Sequence, residues 1–220
     1  MYTSPKVIDY AKTSRGEIQL QQRGDEYEVI SNGTFLMATY NGESEKLLVQ
    51  AAIEEATHPE RVLIGGLGVG FSLAEALSYS NIKEVTVIEI EKCIIEWNKT
   101  YLAEYSSNSL QDPRTNIVHA DFTKWMYETQ EKFDVICLDI DNGPDWTVVE
   151  SNNTLYQEDS LHVLASLLNE QGVISFWSAS SAPHFVARLK QIFKHVTELS
   201  VPVDRGEPDY IYLVKAGKSI

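Results

Sequence analysis

RVLIGGLGVGFSLAEAL, residues Arg61–Leu77, is the stretch that decides the fold. An apolar strand runs into three spaced glycines, Gly66, Gly68 and Gly70, and a helical pattern follows. Glycines let the backbone turn sharply and approach a ligand closely, and the first turn of the helix offers free N–H groups. The pattern favours a ligand-binding turn, although glycines here would also serve tight strand-to-helix packing alone.

A carboxylate follows this turn at an informative distance. The next strand, VTVIEI, ends with Glu89, 89 − 70 = 19 residues after the last glycine. In nucleotide-binding α/β folds, an acid about 20 residues on holds the ribose hydroxyls. Glu91 is the alternative acid, and we expect it in the first turn of the following helix, where a carboxylate favours the helix dipole. Nicotinamide dinucleotides and S-adenosylmethionine both use this arrangement.

The third strand of the series also ends near a carboxylate. Asp121 follows the run Asn116–His119, at a place where an adenine amino group would donate to it. Asp121 would equally serve as the N-cap of a helix over Phe122–Tyr127, and one side chain can do both.

The fourth strand ends in the acidic stretch Asp139–Trp146, DIDNGPDW. Three acids and an amide in a Gly-Pro turn, at the carboxyl edge of a parallel sheet, predict an active-site loop. Within it we take Asp139 and Asp141 as catalytic candidates and Asn142 and Trp146 as substrate-binding candidates. Trp146 would form a wall over a substrate or pack on its own helix.

The rest of the chain alternates strands with helix-length segments. The apolar runs are Val62–Ile64, Val85–Ile88, Thr115–Val118, Val135–Leu138 and Val173–Trp177. Such alternation predicts a mostly parallel sheet wrapped by helices. His195–Val201 and Tyr210–Val214 follow each other without a helix between them, so we expect them to form a closing antiparallel pair.

The N-terminal part has a different pattern. Between Glu17 and Tyr40, short β-prone runs are separated by turn signals at Arg23–Asp25 and Ser31–Gly33, which predicts an antiparallel hairpin or meander. A helical pattern follows from Glu43 to Thr57. We therefore divide the chain into an N-terminal hairpin or meander, residues 1–42, and an α/β domain, residues 43–220.

Composition excludes several classes of function. The 220 residues carry 18 Lys plus Arg and 32 Asp plus Glu, a formal charge of 18 − 32 = −14, which argues against a nucleic-acid groove and favours cationic or neutral partners. Two cysteines, Cys93 and Cys137, make neither a disulfide framework nor a zinc cluster, and we expect no metal site. No run is long enough to span a membrane. We expect a reduced, cytoplasmic protein.

Five ordered segments resemble one family. They are IGGLGVG, VIEIEKCIIEWNK, DPRTNIVHADFTKWM, FDVICLDIDNGP and LYQEDSLHVLASLLNEQGVISFWSAS. Together they are similar to the spermidine synthases, the polyamine aminopropyltransferases, and the similarity runs from about the N-terminal hairpin through Val201. The resemblance implies the Rossmann-like fold of class I S-adenosylmethionine-dependent methyltransferases. It also implies that Glu89 holds the ribose and that Asp121 binds the adenine edge. Asp139 would orient and deprotonate an attacking amine. Tyr156 would lie on the acceptor side.

The sequence also departs from that family. Val69 stands where the family carries the aspartate that binds the aminopropyl ammonium of decarboxylated S-adenosylmethionine. Glu43–Leu48, ESEKLL, replaces the family's Tyr- and Gln- or His-Glu-containing segment that helps bind putrescine. Asn142 stands at the second acid of the Asp-Ser-x-Asp loop, with Asp141 adjacent to it.

These observations predict group transfer from an S-adenosylmethionine-type sulfonium to a small cationic amine. We place methyl transfer from intact S-adenosylmethionine first, because an aspartate at this position would repel the donor carboxylate and Val69 does not. Aminopropyl transfer from decarboxylated S-adenosylmethionine is second, and a catalytically silent adenosyl-binding protein is third. A homodimer is considered for its assembly.

Overall fold

The computed structural model describes residues 4–140, 142–144, 150–203 and 206–215. Its strands are β1 (Lys6–Thr13), β2 (Gly16–Arg23), β3 (Glu26–Ser31), β4 (Thr34–Ala38), β5 (Arg61–Gly65), β6 (Glu84–Glu89), β7 (Thr115–His119), β8 (Phe133–Leu138), β9 (Leu168–Ser178), β10 (Val196–Val201) and β11 (Asp209–Lys215). Its α-helices are α1 (Glu43–Glu55), α2 (Phe71–Ser78), α3 (Lys92–Asn98), α4 (Phe122–Glu128), α5 (Glu158–Ser166) and α6 (Pro183–Ile192). Short 3₁₀ helices cover Ser109–Gln111 and Glu150–Tyr156.

The larger sheet has seven strands in the order β10-β11-β9-β8-β5-β6-β7. β9, β8, β5, β6 and β7 are mutually parallel, and β11 runs antiparallel between β9 and β10. This confirms the predicted mostly parallel sheet and its closing antiparallel pair. The chain leaves β5 towards β6 on one side and returns at β8 on the other, so a crevice forms at the carboxyl ends of these strands.

Both faces of this sheet are covered by helices, which is why its strands are continuous apolar runs. Successive side chains of a strand point to opposite faces. In β8, Val135 and Cys137 join the core shared with α1, α2 and α3, whereas Ile136 and Leu138 join the core shared with α4, α5 and α6. The sheet is therefore packed between two hydrophobic cores, one on each face.

The N-terminal sheet is a four-stranded antiparallel meander in the order β1-β2-β3-β4. The sequence pattern predicts a meander beginning at Glu17, and the structure adds β1 in front of it. β1 is an edge strand whose side chains are mostly exposed, so it lacks the apolar alternation that marks a half-buried strand.

This sheet packs on the α/β part through side chains of its second and third strands. Ile18, Leu20 and Val29 are buried in the same core as α1, α2 and α3. The indole Nε1 of Trp97 in α3 donates a hydrogen bond to Asp9 Oδ2 at 2.8 Å. As a result, the β1–β2 turn and the β3–β4 turn reach the crevice at the ends of the parallel strands.

The Asp112-Pro113-Arg114 segment has a structural role. Arg114 forms an ion pair with Asp112 at 2.8 Å, and its guanidinium donates to the carbonyl oxygens of Leu77, Tyr79 and Ile82. These bonds tie the start of β7 to the end of α2. None of the helices in the described ranges is both long and apolar enough to cross a membrane.

Candidate active site

A cavity of about 610 Å³ lies at the carboxyl ends of β5, β6, β7 and β8, and the turns of the N-terminal sheet close one side of it. Its acidic lining residues are Glu45, Glu89, Glu91, Asp121 and Asp139. Arg15 is the one basic residue among the described residues of the lining. A concave surface with this excess of negative charge favours a cationic ligand.

Two glycines of the turn, Gly66 and Gly68, line the cavity. Gly66 has a φ of +91°, and a Cβ added there would lie 2.3 Å from the backbone oxygen of Asp139, so a side chain does not fit. Gly68 also lines the cavity, and its carbonyl accepts a hydrogen bond from Asn98 Nδ2 at 2.8 Å. Gly70 precedes α2 and lies outside the lining.

Glu89 ends β6, is buried, and lines the cavity. One of its carboxylate oxygens accepts from Leu67 N at 2.9 Å, and the other accepts from Glu91 N at 2.7 Å. Burial raises the pKa of Glu89, and these two hydrogen bonds oppose the rise. Each oxygen keeps a free lone pair, so the carboxylate is fixed in place and can still accept from a ligand hydroxyl.

Asp121 both lines the cavity and caps α4. Its Oδ1 accepts from the backbone N of Thr123 at 3.0 Å and from the Thr123 hydroxyl at 2.7 Å. Burial would raise the pKa of Asp121, but the bonds from Thr123 and the ammonium of Lys124 hold it below its usual value. The N-cap role is therefore present, and Asp121 also lines the cavity, while its contact with an adenine edge stays a prediction.

Asp139 follows β8 and lies close to several other carboxyl groups. Burial, together with the charges of Glu45, Asp209 and Glu89, raises the pKa of Asp139 well above its usual range. Its carboxylate accepts no hydrogen bond from the described residues. An acid with a raised pKa and free lone pairs in a cavity is suited to accept a proton from a ligand.

Glu45 and Asp209 meet through a serine. Ser44 Oγ lies 2.9 Å from Glu45 Oε2 and 2.8 Å from Asp209 Oδ2. Burial raises the pKa of both carboxyl groups, and the charge of Asp209 raises the pKa of Glu45 further. Glu45 lines the cavity beside Asp139, so negative charge is concentrated at this end of the cavity.

The predicted acceptor-side residues have different positions. Asn142 lines the cavity. Tyr156 is buried away from the lining, and its hydroxyl donates to the carbonyl oxygen of Ile140 at 2.9 Å, which supports the backbone next to Asp139. Asp141 and Trp146 lie outside the described residues.

Four residues of this arrangement are not among the site residues that the sequence predicts. Arg15 comes from the β1–β2 turn, Ser44 and Glu45 from the first turn of α1, and Asp209 from the start of β11. The departure of Glu43–Leu48 from the corresponding family segment is the sequence feature that could have pointed to Ser44 and Glu45. Arg15 and Asp209 carry no local signal, because Arg15 reaches the cavity, and Asp209 reaches Ser44, only through tertiary packing.

Comparison with known proteins gives the family. The model of the spermine/spermidine synthase domain matches residues 43–203. The polyamine aminopropyltransferase of Saccharolobus solfataricus is 32% identical over 161 residues, which cover 69% of this chain and 52% of that protein. The polyamine aminopropyltransferase of Sulfolobus acidocaldarius is 30% identical over 158 residues, covering 68% and 51%. The chain spans about half the length of these curated relatives.

Solved structures agree on the fold. A spermidine synthase in complex with the transition-state analogue AdoDATO superposes with a TM-score of 0.82 at 20% identity, covering 96% of this chain and 74% of that one. The spermidine synthase of Thermotoga maritima superposes with a TM-score of 0.79 at 20% identity, covering 96% and 73%. With the family model matching most of the chain, this protein belongs to the spermine/spermidine synthase family.

Proposed function

We propose that this chain transfers an aminopropyl group from decarboxylated S-adenosylmethionine to a small cationic amine. The observation that carries the proposal is the concentration of carboxyl groups at one end of the cavity, where Asp139 and Glu45 belong to the lining and the charge of Asp209 acts on both of them. Burial raises the pKa of all three groups, and like-charge repulsion adds to the rise for Asp139 and Glu45; a cationic ligand would relieve that repulsion. The curated relatives, which are named polyamine aminopropyltransferases, support the same reading.

The charge of the cavity also bears on the donor. Intact S-adenosylmethionine would bring its own carboxylate into a cavity whose described lining holds five acids and one arginine. Two like unit charges 4 Å apart repel by about 4 kcal/mol at an effective dielectric constant of 20. The decarboxylated donor carries an ammonium and a sulfonium instead, so both its charged groups suit this lining.

For this reaction the protein needs to align the two substrates and to remove a proton from the acceptor nitrogen. The lone pair of the acceptor nitrogen attacks the propyl carbon next to sulfur, and the C–S bond breaks with its electrons moving to sulfur. The products are 5′-methylthioadenosine and an aminopropylated amine. Asp139 accepts the proton that the acceptor nitrogen must lose, and the carboxyl group of Glu45 holds the acceptor's remaining charge near it.

Methyl transfer from intact S-adenosylmethionine is the second candidate. It is favoured by Val69, a buried apolar residue of the cavity lining. An acid near this position would pair with the aminopropyl ammonium of the decarboxylated donor, and Val69 supplies none.

The test is to give the protein each donor separately with putrescine, spermidine and butylamine, and to identify products by mass spectrometry. We expect aminopropylated amine and 5′-methylthioadenosine with the decarboxylated donor, and turnover lower by about 10²–10⁴ in Asp139→Asn. Methylated amine and S-adenosylhomocysteine would replace the proposal by the second candidate. Binding of 5′-methylthioadenosine without turnover of either donor would point to a silent adenosyl-binding protein.

A further inference from the structure

Arg15 is a cavity residue that lies outside the part of the chain matched by the family model, residues 43–203. Its Nε donates to Glu91 Oε1 at 2.8 Å, across 76 residues of sequence. In the described part of the chain its two Nη groups have no protein partner. A guanidinium has five N–H donors in a planar fork. The Glu91 bond uses one of them and leaves the others available to a ligand.

The turn that carries Arg15 is fixed by several hydrogen bonds. Asn32 Nδ2 donates to the Arg15 carbonyl at 3.1 Å, and the Glu17 N–H donates to Asn32 Oδ1 at 2.9 Å. Gly16 has a φ of +121°, and a Cβ there would lie 2.0 Å from Asn32 Oδ1. Arg15 N also donates to Thr13 Oγ1 at 3.1 Å. The arginine is therefore held in position before any ligand binds.

The acids near Arg15 in the cavity lining are Glu91, which it bonds, and Glu89, which is fixed by two backbone N–H groups and whose pKa the charge of Arg15 lowers. A carboxylate only accepts hydrogen bonds and a guanidinium only donates them. A hydroxyl group does both, so a sugar hydroxyl satisfies the two sides at once.

We propose that Arg15 binds the donor's ribose, donating from Nη to a hydroxyl oxygen whose hydrogen is accepted by Glu89. The N-terminal sheet thereby supplies a binding residue to the donor site and closes it over the nucleoside. This inference rests on the nucleoside site of the proposed function.

A second ion pair of the N-terminal sheet provides a matched control. Arg23 Nε donates to Glu28 Oε1 at 2.9 Å, and the side chains are 31% and 6% exposed. The corresponding exposures are 32% for Arg15 and 8% for Glu91. Arg23 does not line the cavity. A purely structural role for Arg15 predicts similar behaviour for both arginines.

The experiment measures calorimetric affinities for 5′-methylthioadenosine and for its 2′-deoxy and 3′-deoxy analogues. We expect Arg15→Gln to weaken binding of 5′-methylthioadenosine by about tenfold. The same variant should change the affinity for one of the deoxy analogues by less than about threefold, because that analogue lacks the contacted hydroxyl. Arg23→Gln should leave all three affinities within about twofold of the unmodified protein.

Two results would overturn the inference. One is an Arg15→Gln protein with unchanged affinities, and the other is an equal loss for all three ligands, which would mean that the arginine only orders the sheet. If Arg15→Gln fails to fold, Arg15→Lys keeps the charge beside Glu91 but lacks the planar fork that presents separate nitrogens to Glu91 and to the ribose. We therefore expect the same ligand-dependent loss, and unchanged affinity would again refute the inference. Absence of 5′-methylthioadenosine binding to the unmodified protein would refute the proposed donor site as well.

Discussion

The Ser44 hydroxyl lies 2.8 Å from Oδ2 of Asp209, a residue 165 positions further along the chain. The same hydroxyl lies 2.9 Å from Glu45 Oε2. A hydroxyl has one hydrogen to donate, so both contacts are hydrogen bonds only when one of the two carboxyl groups carries a proton. Helix α1 and strand β11 are thus joined by two carboxyl groups whose pKa values are raised by burial.

This pair of carboxyl groups predicts that Asp209→Asn stabilises the ligand-free protein at neutral pH. Burial raises the pKa of Asp209 in the folded state, so the folded state binds the proton more tightly than the unfolded state does. The stabilisation of the folded state by this bound proton is complete below the ordinary pKa of an aspartate and is lost as the pH rises through the raised pKa. We expect the melting temperature to rise by roughly 2–4 °C at pH 7.5, the shift given by 1 kcal/mol in a chain of this size, and to change little near pH 4.

Asp134 supplies a control of opposite sign. Its carboxylate accepts from the backbone N of Glu60 and of Arg61, both at 2.8 Å, and from Asn169 Nδ2 at 2.7 Å. Burial opposes these bonds, yet the pKa of Asp134 is lowered. Its stabilising effect is present above the ordinary pKa and is lost as the pH falls through the lowered one. Asp134→Asn should therefore lower the melting temperature at pH 7.5, and a shift of the same sign in Asp209→Asn would contradict the electrostatic account.

Glu89→Ala should weaken binding of 5′-methylthioadenosine by about 1.5–3 kcal/mol, typical of a hydrogen bond to a charged group. The reason is the ribose contact that Glu89 would make from its buried position between Leu67 and Glu91. Calorimetry measures the affinity, and circular dichroism checks that the fold is intact. Unchanged affinity in a folded variant would remove Glu89 from the donor site.

Gly66→Ala and Gly68→Ala should differ sharply. At Gly66 the new Cβ would lie 2.3 Å from the Asp139 carbonyl oxygen, so the β5 and β8 strand ends must separate. At Gly68, with a φ of +55°, the nearest atom is the sulfur of Met37 at 3.5 Å, an ordinary contact. We expect about 1 kcal/mol of destabilisation for Gly68→Ala and several times more for Gly66→Ala, measured by urea unfolding. Equal losses would mean that the close approach of the two strand ends is unimportant.

The parallel sheet and its strand-end acids could be predicted because each leaves a local mark. A strand buried on both faces is a continuous apolar run, and the residue after it lies at the carboxyl edge of the sheet. Glu89, Asp121 and Asp139 follow from that rule, and all three line the cavity.

The acceptor side could not be predicted in the same way. Asp209 reaches Ser44 because β11 packs beside β9 and α1 covers both, which depends on the whole fold. The family resemblance, together with its position after the acidic loop, predicts Tyr156 on the acceptor side. In the structure its ring packs against Phe176 and Phe185 in the core, because an aromatic ring after a loop packs equally well inwards.

Asp139→Asn tests the catalytic assignment. The amide keeps the shape of the side chain but loses the charge and the basic lone pair, so turnover should fall by about 10²–10⁴, as for a positioned general base. The affinity for 5′-methylthioadenosine should stay within about threefold, because the nucleoside contacts lie at other strand ends. Turnover by the unmodified enzyme should rise with pH through the raised pKa of Asp139, since only the ionised carboxylate accepts a proton.

The competing role for Asp139 is to brace the turn that follows β8 by accepting backbone N–H bonds. That role predicts a lower melting temperature for Asp139→Asn with little loss of turnover. The structure favours the opposite, since the carboxylate accepts no hydrogen bond from the described residues and its charge is opposed by Glu45 and Asp209. Removing that charge should raise the melting temperature at neutral pH while abolishing most of the single-turnover rate. A destabilised variant that still turns over at the normal rate would exclude Asp139 as the base.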